Sequence, residues 1–228
     1  MLLFLDSADL HDIENAIKQY PIDGVTTNPT ILARDIGNNV QLKTYLQNIR
    51  NLTIGKKLFV QVTSSNAKGM IEDAMRISET LGGDLSIKIP STSEGMEAIK
   101  ALNCLHIRTT ATACYSIPQA FLAAKSGAEF VAPYISHLDN MGIDGASIAG
   151  QIAKLFVENK VETQVLAASF RTLYQVQSCI TNGATAITVT AQMLGILSGH
   201  SGTEHELDNF RRNWSSRFQK GIAELLAD

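Results

Sequence analysis

The segment LSIKIP at residues 85–90 sets the chemistry to be explained. It reads as a β-strand, and successive side chains of a strand face opposite ways. Leu85, Ile87 and Ile89 share one face, while Ser86, Lys88 and Pro90 share the other. If the apolar face meets a helix layer, Lys88 points into the interior of the sheet. Lysine is rarely buried without cause, and burial favours its neutral form. A neutral amine attacks a ketone and forms an iminium, which acts as an electron sink for breaking a neighbouring C–C bond. The alternative reading is a core lysine held charged by an ion pair. The other ten lysines lie in polar or helical contexts that suit a solvated surface.

The same alternation, applied to other strand-like runs, collects polar residues at one end of each. Asp6 ends the first, with Leu3 and Leu5 on the opposite face. GVTTN turns Thr26 and Asn28 inward, and LFVQVT turns Gln61 inward. Thr110 and Thr112 follow on the fifth run, Ala132 and Tyr134 on the sixth. The seventh aligns Ala167, Ser169 and Arg171, and the eighth aligns Thr188 and Thr190. A ring of Asp6, Asn28, Gln61, Lys88, Thr112, Tyr134 and Ser169 is costly to build unless it binds something. An amine, a carboxylate, a phenol and several hydroxyl and amide groups suit Schiff-base chemistry on a polyol. Tyr134, Gln61 and Thr112 are placed to position a proton-shuttling water. Arg171, two residues beyond Ser169, is placed to hold a phosphate.

The elements that must position these groups alternate along the whole chain. Eight strands are expected at Leu2–Asp6, Gly24–Asn28, Leu58–Thr63, Leu85–Pro90, Ile107–Thr112, Phe130–Tyr134, Thr163–Ser169 and Ala186–Thr190. Amphipathic helical segments at Asp9–Gln19, Asn66–Thr80, Ser93–Leu102, Ile117–Lys125, Ile148–Glu158 and Leu173–Ile180 separate them. Eight strand–helix units in series predict an α/β fold of the closed parallel (β/α)8-barrel kind. The competing doubly wound sheet has a glycine-rich first turn, whereas the turn here is DSAD. No linker or charge block divides residues 1–228, which predicts one domain. Beyond the eighth unit, residues 204–227 form one long helical pattern, an extra C-terminal helix, with a stripe of Leu207, Phe210, Trp214, Phe218, Ile222 and Leu225. Such a stripe packs either on its own barrel or on a neighbouring subunit.

Composition excludes several other classes. A hydrophobic share of 45% suits a packed core, and a net charge of −3 spread along the chain offers no nucleic-acid face. No apolar run is long enough for a membrane span, and the N-terminal run has no basic flank of a signal peptide. Cys104, Cys114 and Cys179 are an odd, widely spaced set, which fits reduced thiols rather than disulfides or zinc. A metal-dependent isomerase would need His and carboxylates at strand ends; only Asp6 and His106 offer this, and His106 begins its strand, on the wrong face. A silent sugar-phosphate binder gains little from a buried amine.

The motifs FLDSAD, GVTTNPT, IKIPSTSEG, VAPYISHLD and LAASFRT together resemble the small transaldolase family, and within it the fructose-6-phosphate aldolases. The likeness spans nearly the whole chain. It implies a (β/α)8 barrel, a class I aldolase mechanism with no metal or other cofactor, sugar-phosphate substrates and a cytoplasmic enzyme. It also implies a homo-oligomer, a pentamer or decamer, whose C-terminal helix reaches a neighbour. By position, Lys88 is similar to the Schiff-base lysine and Asp6 to the acid beside it. Asn28 and Ser169, with Thr26 adjacent, resemble the residues that hold donor hydroxyls. Thr112 resembles the residue that orients the catalytic water. Gln61 and Tyr134 match the aldolase pair, where transaldolases usually carry Glu and Phe. The implied reaction is reversible cleavage of fructose 6-phosphate. Its alternative is transfer of a dihydroxyacetone unit between sugar phosphates in the pentose phosphate pathway. One departure stands out: the family's phosphate-binding arginine is replaced by His137, which carries no fixed charge at neutral pH. Weaker phosphate binding, or another acceptor, is the expectation, with Arg171 taking more of the load.

Overall fold

A computed structural model describes residues 1–227; Asp228, the last residue of the expected domain, lies outside them. The chain forms two compact units, Met1–Ala191 and the segment from Gln192 onward. The first is a closed barrel of eight parallel strands in sequential order. Its elements run β1 (Leu2–Asp6), α1 (Leu10–Gln19), β2 (Gly24–Thr26), α2 (Pro29–Asp35), α3 (Leu42–Leu52), β3 (Lys57–Gln61) and α4 (Ala67–Leu81). There follow β4 (Leu85–Pro90), α5 (Ser93–Cys104), β5 (Thr109–Cys114), α6 (Ile117–Lys125), β6 (Phe130–Pro133) and α7 (Ile135–Asn140). The unit closes with α8 (Gly145–Glu158), β7 (Gln164–Ala167), α9 (Leu173–Thr181) and β8 (Ala186–Val189). α10 (Ala191–Ser198) begins at its last residue.

All eight expected strands form, and β1 and β4 have the expected ends. β2 stops at Thr26 rather than Asn28, because Asn28 becomes the N-cap of α2, accepting the Ile31 N–H at 2.9 Å, with Pro29 in the first turn. α2 is only 7 residues long, too short for a periodic signal, so the sequence pattern passes over it. α3 is also unanticipated, although Tyr45, Leu46 and Ile49 make a buried stripe. β5 begins at Thr109, two residues late, and runs to Cys114 across an irregular register between Ala111 and Cys114. Ala113 sits there with φ 51°, a left-handed conformation unusual for an L-residue.

The barrel interior is an aromatic layer. Phe4, Phe59 and Phe130 are almost fully buried with Ala132, Leu166 and Ala186. Their rings meet edge-on, with centroids 4.9 to 6.2 Å apart. The alternation on strands one to six and eight is as expected. β7 is the exception: Leu166, not Ala167, joins the interior layer, so the expected inward face of that strand is reversed. Gly24 is dictated by packing, because a Cβ there would lie 1.9 Å from the Lys57 carbonyl oxygen. One further lysine is not the solvated surface group expected of it. Lys57, with 11% of its side chain exposed, pairs with Asp84 at 2.8 Å and Glu129 at 2.7 Å.

In the second unit, α11 (Ser201–Arg217) and α12 (Ile222–Leu225) replace the continuous helix expected over residues 204–227. Phe218 turns extended (φ −124°, ψ 133°), and the Trp214 indole N–H donates to the Lys220 carbonyl across the break. Phe210 and Ile222 of the apolar stripe are each 62% exposed. Among the described residues, no helix is long and apolar enough to cross a membrane, and all three cysteines are free.

Candidate active site

A cavity of about 620 Å³ opens at the C-terminal ends of the barrel strands. Eight of the ten sequence-predicted residues line it: Asp6, Asn28, Gln61, Lys88, Tyr134, His137, Ser169 and Arg171. Thr26 and Thr112 are fully buried beneath the lining and bonded to it. The Thr26 hydroxyl donates to Asp6 at 2.7 Å and shares a 2.6 Å hydrogen bond with Thr188. Thr112 and Tyr134 share a 3.0 Å hydroxyl contact.

Lys88 lies on β4 opposite Gln61 in the parallel ladder. It is 5% exposed, and Nζ donates to the Thr27 carbonyl at 3.0 Å. Among the described residues it makes no ion pair, since Asp6 stays beyond ion-pair distance. Burial pushes the amine below its ordinary range, and the Asp6 carboxylate opposes that only in part. Among the described lysines, Lys57 is largely buried and charge-paired, and Lys88 is buried without a charged partner.

The carboxamide oxygen of Gln61 is buried and has no hydrogen-bond partner among the described residues. Gln61 as a residue lines the polar cavity, and a buried carboxamide oxygen of this kind calls for a hydroxyl or water partner. Burial raises the Tyr134 phenol above its ordinary range, opposed by the hydrogen bond from Thr112, with Asp6 raising it further. The Ala113 N–H also bears on that phenol oxygen. The left-handed turn at Ala113 is thus coupled to the Tyr134 phenol.

Ser169 reaches the cavity by a route that strand alternation does not give. β7 ends at Ala167, and Ser169 adopts φ 62°, which re-aims the chain. Its hydroxyl meets that of Ser136 at 3.0 Å. Asn28 spends its side-chain oxygen on the α2 cap, leaving its two amide protons for a ligand.

His137, exposed on α7, forms one edge of an aromatic group. Its ring stacks on Tyr115 (centroids 6.3 Å apart, 22° between planes) and lies 5.3 Å from Tyr134. The Tyr115 hydroxyl is 3.3 Å from Nδ1. Sequence reasoning missed Tyr115, because the irregular β5 turn places it. It also missed Arg34, which lines the cavity from α2, a helix whose length hid it.

A closed barrel with a buried, unpaired amine below a polar mouth is the architecture of a barrel enzyme. Residues 3–227 match the profile of the family described as transaldolase/fructose-6-phosphate aldolase. A protein named a probable transaldolase, from Thermoplasma volcanium, is 36% identical over 214 residues, spanning 94% of this chain and 95% of that one. The chain belongs to the transaldolase/fructose-6-phosphate aldolase family. Among solved structures, a mandelate oxidase variant carrying a monooxide FMN adduct aligns with a TM-score of 0.56 at 13% identity. That alignment covers 83% of this chain and 64% of the oxidase, and it shows the barrel fold alone.

Proposed function

We propose that this enzyme is a Schiff-base aldolase that reversibly cleaves fructose 6-phosphate into dihydroxyacetone and glyceraldehyde 3-phosphate. The observation that carries the reading is Lys88: buried, without an ion pair, and held by one carbonyl at the base of a polar cavity. Its amine adds to the C2 ketone, and loss of water gives the iminium. The C3–C4 bond then breaks as the C4 hydroxyl loses its proton. The bond's electron pair passes to the iminium, giving an enamine, and glyceraldehyde 3-phosphate departs. Protonation at C3 and hydrolysis release dihydroxyacetone and free the amine.

Tyr134, supported by Thr112, is the group suited to carrying these protons through a water. Gln61 holds that water or a substrate hydroxyl. Asp6 faces the cationic intermediate, and Asn28, Ser169 and Thr26 bind or support the donor hydroxyls. Arg171 and His137 flank the phosphate-bearing end.

The similarity to a protein named a probable transaldolase favours a second reading, transfer of the dihydroxyacetone unit to another sugar phosphate. The two separate on one measurement: release of glyceraldehyde 3-phosphate from fructose 6-phosphate, with and without erythrose 4-phosphate. Release without acceptor is the expected result. Release that depends on acceptor makes the enzyme a transaldolase. We further propose a cytoplasmic homo-oligomer, a pentamer or decamer, in which the apolar stripe of α11 and α12 packs on a neighbouring copy.

A further inference from the structure

The cavity holds a cation that this scheme leaves without a task. Arg34 lines it together with Lys88, His137 and Arg171. One edge of its guanidinium is fixed: Nε donates to Asp35 Oδ1 at 2.5 Å and Nη2 to Oδ2 at 2.9 Å. Asp35 is anchored in turn. Its side chain is 9% exposed, it accepts the Ala8 N–H at 3.3 Å, and Tyr45 donates to its carbonyl at 3.1 Å. The Arg34 head is therefore aimed rather than free to swing, although 66% of its side chain is exposed.

Asp35 offsets the charge of Arg34 but does not exhaust its donors. A guanidinium has five N–H groups. The two bonds to Asp35 use Nε and one Nη2 proton, leaving both Nη1 protons and the second Nη2 proton with no acceptor among the described residues. Unused donors on an oriented, permanently charged fork match a phosphate. The need is concrete, because His137 brings no fixed charge. Of the lining residues, only Asp6 is acidic.

We propose that Arg34 is a recognition residue for the phosphate of the sugar-phosphate substrate. It acts from the β2–α2 side of the mouth, as Arg171 acts from the β7–α9 side. The inference rests on the sugar-phosphate reading above. The test uses the full chain with Arg34→Gln and Arg34→Lys. Inorganic phosphate is titrated by calorimetry at low ionic strength. The kcat/KM ratio for glyceraldehyde 3-phosphate over glyceraldehyde, each with dihydroxyacetone, is then measured. Loss of one charge-assisted hydrogen bond predicts that Arg34→Gln weakens phosphate binding and lowers the ratio, each by about tenfold or more. Arg34→Lys recovers part of both, keeping the charge and losing the fork. The ratio is insensitive to a general loss of active protein, which lowers both acceptors alike. Phosphate affinity and ratio both within about twofold of wild type overturn the proposal. Wild type that binds phosphate through Arg34 but neither cleaves nor transfers sugar phosphates refutes the proposed function, and leaves Arg34 as an anion ligand.

Discussion

Replacing Lys88 by methionine is expected to abolish adduct formation while making the protein more stable. Methionine has nearly the same length and no polar atom that must be satisfied. A neutral Lys88 amine brings two N–H donors and a lone pair, and among the described residues only the Thr27 carbonyl is within reach as a partner. The unmade N–H and lone pair together cost about 2–3 kcal/mol, at the lower end of the range for buried groups, and the variant returns about 1 kcal/mol of that by stranding the Thr27 carbonyl. The net gain is about 1–2 kcal/mol, or roughly 2–8 °C in Tm for a chain of this size. The sign with pH follows from the lowered pKa. An amine that is harder to protonate when folded weakens the native state at low pH. That penalty shrinks as pH rises towards its ordinary value of 10.5. The stability advantage of Lys88→Met should therefore be largest in acid and fall in alkali to the part set by the neutral amine's unmade hydrogen bonds. Lys57→Met is the internal contrast, since it leaves Glu129 without its cation and Asp84 with Arg108 alone, so stability should fall, by up to about 3 kcal/mol. Urea denaturation of both variants across pH is the assay, with borohydride trapping of dihydroxyacetone as the functional readout. A Lys88→Met protein destabilised by about 3 kcal/mol would refute the reasoning, because that is the signature of a broken buried charge pair.

Tyr134→Phe removes the phenol but keeps the ring packed against Tyr115 and His137. The turnover of fructose 6-phosphate should fall by about 10²–10⁴, while borohydride still traps the Lys88 adduct; equal turnover would take the phenol out of proton transfer. Ala113→Gly relieves a left-handed L-residue at φ 51°. The relief of about 1–2 kcal/mol, less about 0.5–1 kcal/mol of added chain entropy, predicts a gain of up to about 1.5 kcal/mol in urea. The bulkier Ala113→Val should instead destabilise the turn and reduce turnover with it, and a neutral effect of both would mean that the turn is not strained.

Much of this protein can be read from residue order alone. Alternating LSIKIP against a barrel interior places Lys88 inside, and the same parity brings Asp6, Gln61, Thr112 and Tyr134 to one end, because a strand's two-residue period is a local property. Helix starts at Asp9, Asn66 and Ser116 are likewise local, each side-chain oxygen accepting a backbone N–H three residues on. What tertiary structure decided is where the period breaks. Ser169 enters the site through a left-handed residue after β7, although the strand's parity runs the other way. Tyr115 and the Ala113 N–H arrive through the irregular register of β5, set by pairing with β6. Arg34 faces the mouth because Asp35, locked to the β1–α1 loop and Tyr45, holds it there. The opposite roles of Lys57 and Lys88 also lie beyond local pattern. Both are inward residues of barrel strands, and only the fold brings Glu129, from far along the chain, to one of them and leaves the other with a single carbonyl.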